Sequence, residues 1–236
     1  MIIRNIWGVG RNYADHIQEM ASSGKSGSPS AVGEGSEKAT PSRAKHPLIF
    51  LKAGSSASVN STEIVLPWWC QEVHHELELA LKLSNRLSVL EAAVALDLTE
   101  RTLQGEAKKK GEPWTAAKSF DGACAISSFF QVNSSRLQDL RLNLWVNEEL
   151  RQTGHTSQML FSCQEILDHL MERYPLCAGD LILTGTPAGV GPLQDGDVVK
   201  ASIEKEIVHV WKVRKAQAPK SGASESTKNV QESEQD

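Results

Sequence analysis

The chain has 236 residues, 40% of them hydrophobic, and a formal net charge of −4 with an isoelectric point near 6.0. That length supports one large domain or two small ones, and the acidic balance excludes the basic footprint that nucleic acid or an anionic membrane requires. Cys70, Cys124, Cys163 and Cys177 show no CxxC pairing, which argues against a disulfide framework or zinc ribbon, and no apolar run approaches the ~20 residues of a membrane helix.

The start, MIIRNIWGVGRNY, has neither the apolar core nor the cleavage site of a signal peptide, so a cytoplasmic protein is expected. In GRNYADHIQEM, His16 and Glu19 lie three apart. On a helix or a single turn such side chains meet. A carboxylate beside an imidazole fixes its tautomer and raises its basicity. The pair is either a surface contact or a general base with its orienting group. Residues 21–45 are rich in Ser, Gly, Ala and charge; they have almost nothing to bury, which predicts a flexible loop. Residues 216–236 are similar and predict a disordered tail. PLIFLK, 47–52, is a short apolar run within a mostly strand-like pattern.

The stretch His74-His75-Glu76-Leu77-Glu78-Leu79 carries the most information. On a strand, Glu76 and Glu78 project from one face together with His74, while Leu77 and Leu79 enter the core. Two partly buried carboxylates side by side repel. A hard cation removes the conflict, and Mg²⁺ suits an all-oxygen site that keeps waters for a substrate to displace. The other reading is an amphipathic strand with solvated acids. Cys70 with His74 would need a second pair for zinc, and none of suitable spacing follows.

Asp97, in ALDLTERTLQ, is flanked by apolar residues. A buried acid needs a cation or an arginine. Arg101, four residues on, is one candidate partner; a metal shared with the glutamates is the other. In KKKGEPWTAAKSF, Lys108, Lys109 and Lys110 read as a solvated basic patch. Lys118 sits between Ala117 and Ser119-Phe120. A semi-buried lysine there either binds a substrate carboxylate or enolate or snorkels at a core edge.

Leu140, Leu142, Leu144 and Val146 alternate with Arg141, Asn143, Trp145 and Asn147, the pattern of a half-buried strand. Asn147-Glu148-Glu149 turns it back into LRQTG as a hairpin. A helix is predicted over 163–174, with Ser162 as N-cap and Glu165 completing a capping box. Ile166, Leu167, Leu170, Met171 and Tyr174 share its inner face, and Pro175 stops it. Leu181 to Thr184 is a strand ending in Gly185. The turn TGTPAGVG, 184–191, has glycines that permit positive φ and close backbone approach. No Gly-Lys-Ser/Thr follows it, so it is not a Walker A loop; its N–H groups and the Thr186 hydroxyl could bind a carboxylate. Residues 197–203 and 206–213 form a terminal pair. Strands outnumber helices and are not regularly interleaved with them, which argues for an α+β class.

Taken together, GRNYADHIQEM, PLIFLK, HHELELAL, ALDLTERTLQ, KKKGEPWTAAKSFDGACAIS, VNEELRQTGHTSQMLFS and LILTGTPAGVGP resemble the fumarylacetoacetate hydrolase family, in its acylpyruvate hydrolase and oxaloacetate decarboxylase branch. They cover most of residues 7–213. The resemblance implies a β-rich mixed sandwich or roll with few helices, one catalytic domain over 1–215, and a homodimer. It implies Glu76, Glu78 and Asp97 as ligands of Mg²⁺, with Mn²⁺ an alternative. It makes His16 and Glu19 a catalytic dyad on a lid and Lys118 the active-site lysine, with Arg101, Gln104 and Thr186 binding substrate. The implied reaction is carbon–carbon cleavage of a small 2-oxo acid, by hydrolysis of an acylpyruvate or decarboxylation of oxaloacetate, with tautomerisation sharing the same metal–enolate chemistry. The chain departs from the family pattern twice. The segment 21–45 is long for a lid link. Between Glu78 and Asp97 roughly ten residues are missing, more than a typical strand of about 5–6. Either LEAAV is recruited as strand, or Asp97 is displaced and the chain is an impaired homologue that binds metal or oxo acid without turnover.

Overall fold

The computed structural model describes residues 3–23, 43–204 and 207–219. In chain order the strands are β1 (Asn5–Gly10), β2 (Leu48–Ala53), β3 (Ala57–Val59), β4 (Glu63–Leu66), β5 (Val73–His75), β6 (Leu77–Leu83), β7 (Val89–Asp97), β8 (Thr99–Glu100), β9 (Cys124–Ile126), β10 (Arg141–Val146), β11 (Glu149–His155), β12 (Leu181–Leu183), β13 (Gly191–Pro192), β14 (Val198–Ile203) and β15 (Ile207–Lys215). The α-helices are α1 (Ala14–Ser23), α2 (Arg101–Lys110), α3 (Thr115–Lys118) and α4 (Cys163–Arg173). The β-rich α+β expectation holds. The tail from 220 onward, and the expected loop except for 21–23 and 43–45, lie outside the described residues; 21–23 close α1.

A seven-stranded sheet runs β2-β1-β12-β6-β7-β9-β3, a five-stranded sheet runs β11-β10-β14-β15-β4, and a small sheet joins β13, β5 and β8. The main core lies between the two larger sheets. Leu77, Leu79 and Leu81 of β6 and Val94 and Leu96 of β7 meet Leu142, Leu144, Val199 and Trp211 there. Each fully buried aliphatic side chain contributes roughly 1.5–3 kcal/mol of transfer free energy. The opposite face of the seven-stranded sheet is also buried, under Ile6, Ala80, Ala93, Ala95, Cys124 and Ile126. Glu76, Glu78 and Asp97 extend that second face, so no solvated side exists on which the acids could lie.

The segment before Asp97 is recruited as strand. Its composition, VLEAAVAL, favours helix, but antiparallel pairing with β6 and burial on both faces override that preference. The pairing sets Glu78 against Ala95 and Leu77 against Leu96, and Asp97 N donates to Glu76 O at 2.9 Å. The missing residues therefore leave Asp97 in place beside the glutamates.

Two further expectations are met with amendments. The hairpin of β10 and β11 turns at Asn147 and Glu148, both at positive φ (51° and 65°), as a two-residue hairpin loop requires. Helix α4 has its capping box from Ser162 and Glu165 and buries Ile166, Leu167 and Leu170, but Met171 is 45% exposed. β2 reverses its apparent pattern: Leu48 and Leu51 are exposed while Lys52 is wholly buried. All four cysteines are free. Among the described residues, no helix is long and apolar enough to cross a membrane.

Candidate active site

The acids converge where the small sheet meets the large one. Glu76 occupies the link between β5 and β6, Glu78 is on β6, and Asp97 ends β7. One carboxylate oxygen of each lies within 4.8 Å of those of the other two. Leu77 and Leu79 enter the core as expected. His74 does not join the acids; its Nε2 lies 2.6 Å from Glu72 Oε1, because the strand breaks at Glu76 and the alternation does not run through.

Three cations surround the cluster, of which Lys118 and Lys52 are buried and Arg101 is partly exposed. Lys118, delivered by the short helix α3, places Nζ 3.0 Å from Glu76 Oε2 and 2.5 Å from Asp97 Oδ2. It is buried rather than snorkelling. Arg101 opens α2 and turns back so that Nη2 lies 2.9 Å from Glu76 Oε1; it is Glu76, not Asp97, that it neutralises. Lys52 completes the set, with Nζ 2.5 Å from Asp97 Oδ1 and donating to Leu98 O at 3.1 Å. The start of α2 is fixed by Glu100, whose Oε2 accepts from Leu103 N and whose Oε1 accepts from Gln71 N and Glu72 N.

Bringing charge into such a site costs several kcal/mol per ion unless each is paired, and the pairing is uneven. Burial works to raise the Glu76 carboxyl, but Lys118, Arg101 and His16 together hold it well below the usual carboxylate range, aided by the Thr99 hydroxyl at 2.8 Å. Burial opposes the Lys118 charge, and Asp97 and Glu76 more than restore it. Glu78 touches no ammonium or guanidinium group among the described residues. Burial first, then Asp97 and Glu76, push its carboxyl well up, against the Gly185 N–H that donates to Oε2 at 2.6 Å. The cluster thus retains one unrelieved like-charge conflict among oxygen donors, which a hard divalent cation would resolve. The residues present fit such an ion.

Above this floor lies a cleft lined by His16, Arg101, Gln104, Lys118 and Thr186, with Phe50 and Trp114 as an apolar wall. His16 is on α1, buried, with Nδ1 3.3 Å from Glu19 Oε2. Burial lowers its imidazole below the ordinary histidine value, although Glu76 and Glu19 pull the other way; the ring is neutral at neutral pH and able to take a proton. Both Glu19 carboxylate oxygens also accept from Gly189 N, at 3.1 and 3.2 Å. Gly189 has φ +95°, and a Cβ there would meet Arg151 O at 1.8 Å. The glycine turn does bind carboxylates, but these are the chain's own: Glu78 through Gly185 and Glu19 through Gly189.

Gln104 Oε1 accepts from Arg101 Nη1 at 2.9 Å and from Lys108 Nζ at 3.2 Å. The Thr186 hydroxyl accepts from Gln152 Nε2 at 2.8 Å. Gln152 lies within the segment VNEELRQTGHTSQMLFS, but no site role was expected of it. It also accepts from Leu77 N and contacts His75 Nδ1, which ties β11 to the strand bearing Glu78. Lys52, Arg11 and Lys108 likewise line or support the site without having been singled out for it. Lys52 ends an apolar run, and Lys108 sits in a run of lysines, so neither stood apart in sequence.

A sheet-built floor of three acids, a histidine–glutamate pair on a covering helix and a buried lysine define a class of enzyme. The chain belongs to the fumarylacetoacetate hydrolase family: the family model described as the fumarylacetoacetate hydrolase C-terminal region matches residues 5–213. It is 38% identical over 227 residues to a mitochondrial oxaloacetate tautomerase of Mus musculus, covering 91% of this chain and 93% of that one. A mitochondrial oxaloacetate tautomerase of Caenorhabditis elegans is 35% identical over 210 residues, covering 84% and 89%. Among solved structures, a fumarylpyruvate hydrolase from Pseudomonas aeruginosa in complex with Mn²⁺ and pyruvate matches with TM-score 0.77 at 26% identity, covering 91% of each chain. A fumarylacetoacetate hydrolase family protein of yeast matches with TM-score 0.72 at 35% identity, covering 92% of this chain and 95% of that one.

Proposed function

We propose that this chain is a divalent-cation-dependent enzyme of 2-oxo acid metabolism that forms the enolate of a small 2-oxo acid. Water attack on the acyl carbonyl of an acylpyruvate, or loss of CO₂ from oxaloacetate, breaks a carbon–carbon bond and leaves the pyruvate enolate, which is then protonated; tautomerisation of oxaloacetate passes through its own enolate by proton transfer at C3. The convergence of Glu76, Glu78 and Asp97 beneath His16 and Lys118 carries the proposal. The three carboxylates would hold Mg²⁺, or Mn²⁺ as in the Pseudomonas neighbour; such an ion supplies Lewis-acid polarisation of the oxo group.

The chain's own groups do the rest. The Lys118 ammonium faces the region where enolate charge develops, and in a buried site such a fixed charge contributes more than it would in water. Arg101 and the Thr186 hydroxyl orient the substrate carboxylate. His16, held by Glu19, takes a proton at Nε2, from water when an acyl carbonyl is attacked or from C3 when an oxo acid tautomerises. Decarboxylation needs no such base. The covering helix excludes bulk water from the enolate. With Asp97 in place, the case for an impaired homologue loses its main support.

The resemblance to the family also supports one catalytic unit over 1–215 and a homodimer; light scattering on the purified chain tests the dimer. The cytoplasmic expectation gains nothing from it, since the animal relatives are named as mitochondrial. The activity is tested by pyruvate release from acetylpyruvate and oxaloacetate, with and without Mg²⁺. Metal-dependent release that falls about 10²–10³-fold in Lys118→Met supports the reading. A chain that binds metal yet turns over neither substrate, and shows no enol–keto exchange, contradicts it.

A further inference from the structure

The apolar wall of the cleft continues beyond it. Leu48, Phe50 and Trp114 line the cleft and also a second groove of about 350 Å³, which Ile49, Leu51, Pro113 and Thr115 extend. That volume falls within the roughly 300–1,000 Å³ of small-ligand pockets. The groove lies between β2, the last strand of the seven-stranded sheet, and the connection from α2 to α3. Among the described residues that line it, the exposed Glu112 is charged and none is lysine, arginine or histidine.

Two glycines shape the shared wall. In the pairing of β1 with β2, Gly8 lies opposite Phe50 and Gly10 opposite Leu48. A Cβ on Gly8 would meet the Phe50 ring at 2.2 Å, and one on Gly10 would meet Leu48 Cδ2 at 3.1 Å. Glycine weakens a strand interior and there marks a close approach. Here it lets Phe50 and Leu48 lie across β1. The centre of the Phe50 ring is 4.7 Å from Lys118 Nζ and 6.0 Å from the centre of the Trp114 ring. An apolar surface therefore leads from the lysine above the acid floor out to the groove. Leu48 and Leu51 are left 41% and 48% exposed on it. Scattered exposed leucines need no explanation; these two are continuous with the wall of a catalytic cleft.

We infer that this groove is the subsite for the acyl chain of the substrate, and that it selects acylpyruvates whose acyl group is apolar and several carbons long. This rests on the reading that the acid floor takes the oxo-acid head. With the head on the floor, the acyl chain is the part of the substrate that must extend away from it, and the wall offers it apolar cover. Each methylene laid in the groove is removed from water. A terminal carboxylate there would lose hydration without a basic partner, and would face Glu112. The role is specificity: the groove takes no part in bond cleavage.

Steady-state kinetics of the full chain in Mg²⁺ buffer, with acetylpyruvate, hexanoylpyruvate and adipoylpyruvate, provide the test. The last two have acyl groups of equal length, ending in a methyl group or a carboxylate. In the unaltered chain, kcat/KM for hexanoylpyruvate is expected to exceed that for each of the others by at least about tenfold. One fully buried methylene is worth about fourfold, so four half-buried ones together reach that figure. Leu51→Asp should bring the hexanoyl-to-acetyl ratio towards one. Leu51→Lys should instead turn the hexanoyl-to-adipoyl ratio towards adipoylpyruvate, a change that misfolding does not mimic. Leu150→Asp, at an exposed position of β11 outside the groove, should leave both ratios unaltered. No preference for hexanoylpyruvate in the unaltered chain, or ratios indifferent to both Leu51 substitutions, overturns the inference, while hydrolysis of acetylpyruvate upholds the oxo-acid reading. Turnover of oxaloacetate alone also overturns the inference and leaves that reading standing. Turnover of none of the four overturns both.

Discussion

Lys52 and Asp97, 45 residues apart, meet with Nζ 2.5 Å from Oδ1 and with neither side chain in contact with water. The pair fixes one side of the acid cluster from β2, which ends the seven-stranded order with three strands between it and β7, and leaves Asp97 Oδ2 to Lys118. Removing one partner of such a pair leaves an uncompensated buried charge. Lys52→Met is therefore expected to destabilise the chain by roughly 3–5 kcal/mol. Adding Asp97→Asn should recover part of that loss. Urea denaturation of the single and double variants measures both effects; equal losses that simply add would show that the pair is not coupled.

The glycine turn positions the base through Glu19. Gly189→Ala would force a Cβ onto Arg151 O and strain a backbone at φ +95°, so the turn must shift and the Gly189–Glu19 contacts must lengthen. Misplacement by about 1 Å costs on the order of a hundredfold in rate. The expected outcome is a fall of that size in kcat for acylpyruvate hydrolysis, with Mg²⁺ affinity changed less than about threefold, because Glu78 is held by Gly185 instead. Steady-state kinetics together with metal titration separate the two.

His16 and Lys118 have separable roles. His16→Asn should lower acylpyruvate hydrolysis by about 10²–10⁴-fold, the usual contribution of a general base, and lower oxaloacetate decarboxylation far less. Lys118→Met should lower both. Parallel assays of the two reactions on each variant check this; equal losses in His16→Asn would contradict the role given to the dyad.

Stability should depend on His75. Burial, opposed by the Gln152 contact, lowers its imidazole to about 4 from an ordinary value of 6.5. Between those values the unfolded chain binds a proton that the folded chain does not. Stability therefore rises with pH across that window and is lost as pH falls from about 6.5 towards about 4, by roughly 3 kcal/mol for this group. Thermal unfolding of the chain and of His75→Gln measures it: the variant should have the flatter profile over that range.

The acid cluster was legible because Glu76 and Glu78 are two residues apart, near enough to converge although Glu76 lies in the link before β6, and because the β6–β7 pairing is between neighbours in sequence. His16 and Glu19 were legible for the same local reason. The cations were less so. PLIFLK reads as an apolar strand with a lysine at its end, yet Leu48 and Leu51 are exposed and Lys52 is buried. That inversion is set by the pairing of β2 with β1, in which Lys52 lies opposite Ile6, and no local pattern reports it. VLEAAVALD carries a helical composition and is a strand because both its faces are covered. Gln152 lies on β11 between the exposed Arg151 and Thr153, and its contacts to His75, Leu77 and Thr186 join residues far apart in sequence, which no local pattern reports.

The most direct measurement is Mg²⁺ titration calorimetry with and without oxalate, a mimic of the pyruvate enolate, on the chain and on Glu78→Gln. Metal-dependent oxalate binding that weakens at least about tenfold in the variant is expected if the three acids hold the ion beneath the substrate. Oxalate binding that is indifferent to Mg²⁺, or unchanged in Glu78→Gln, would contradict the metal-centred account.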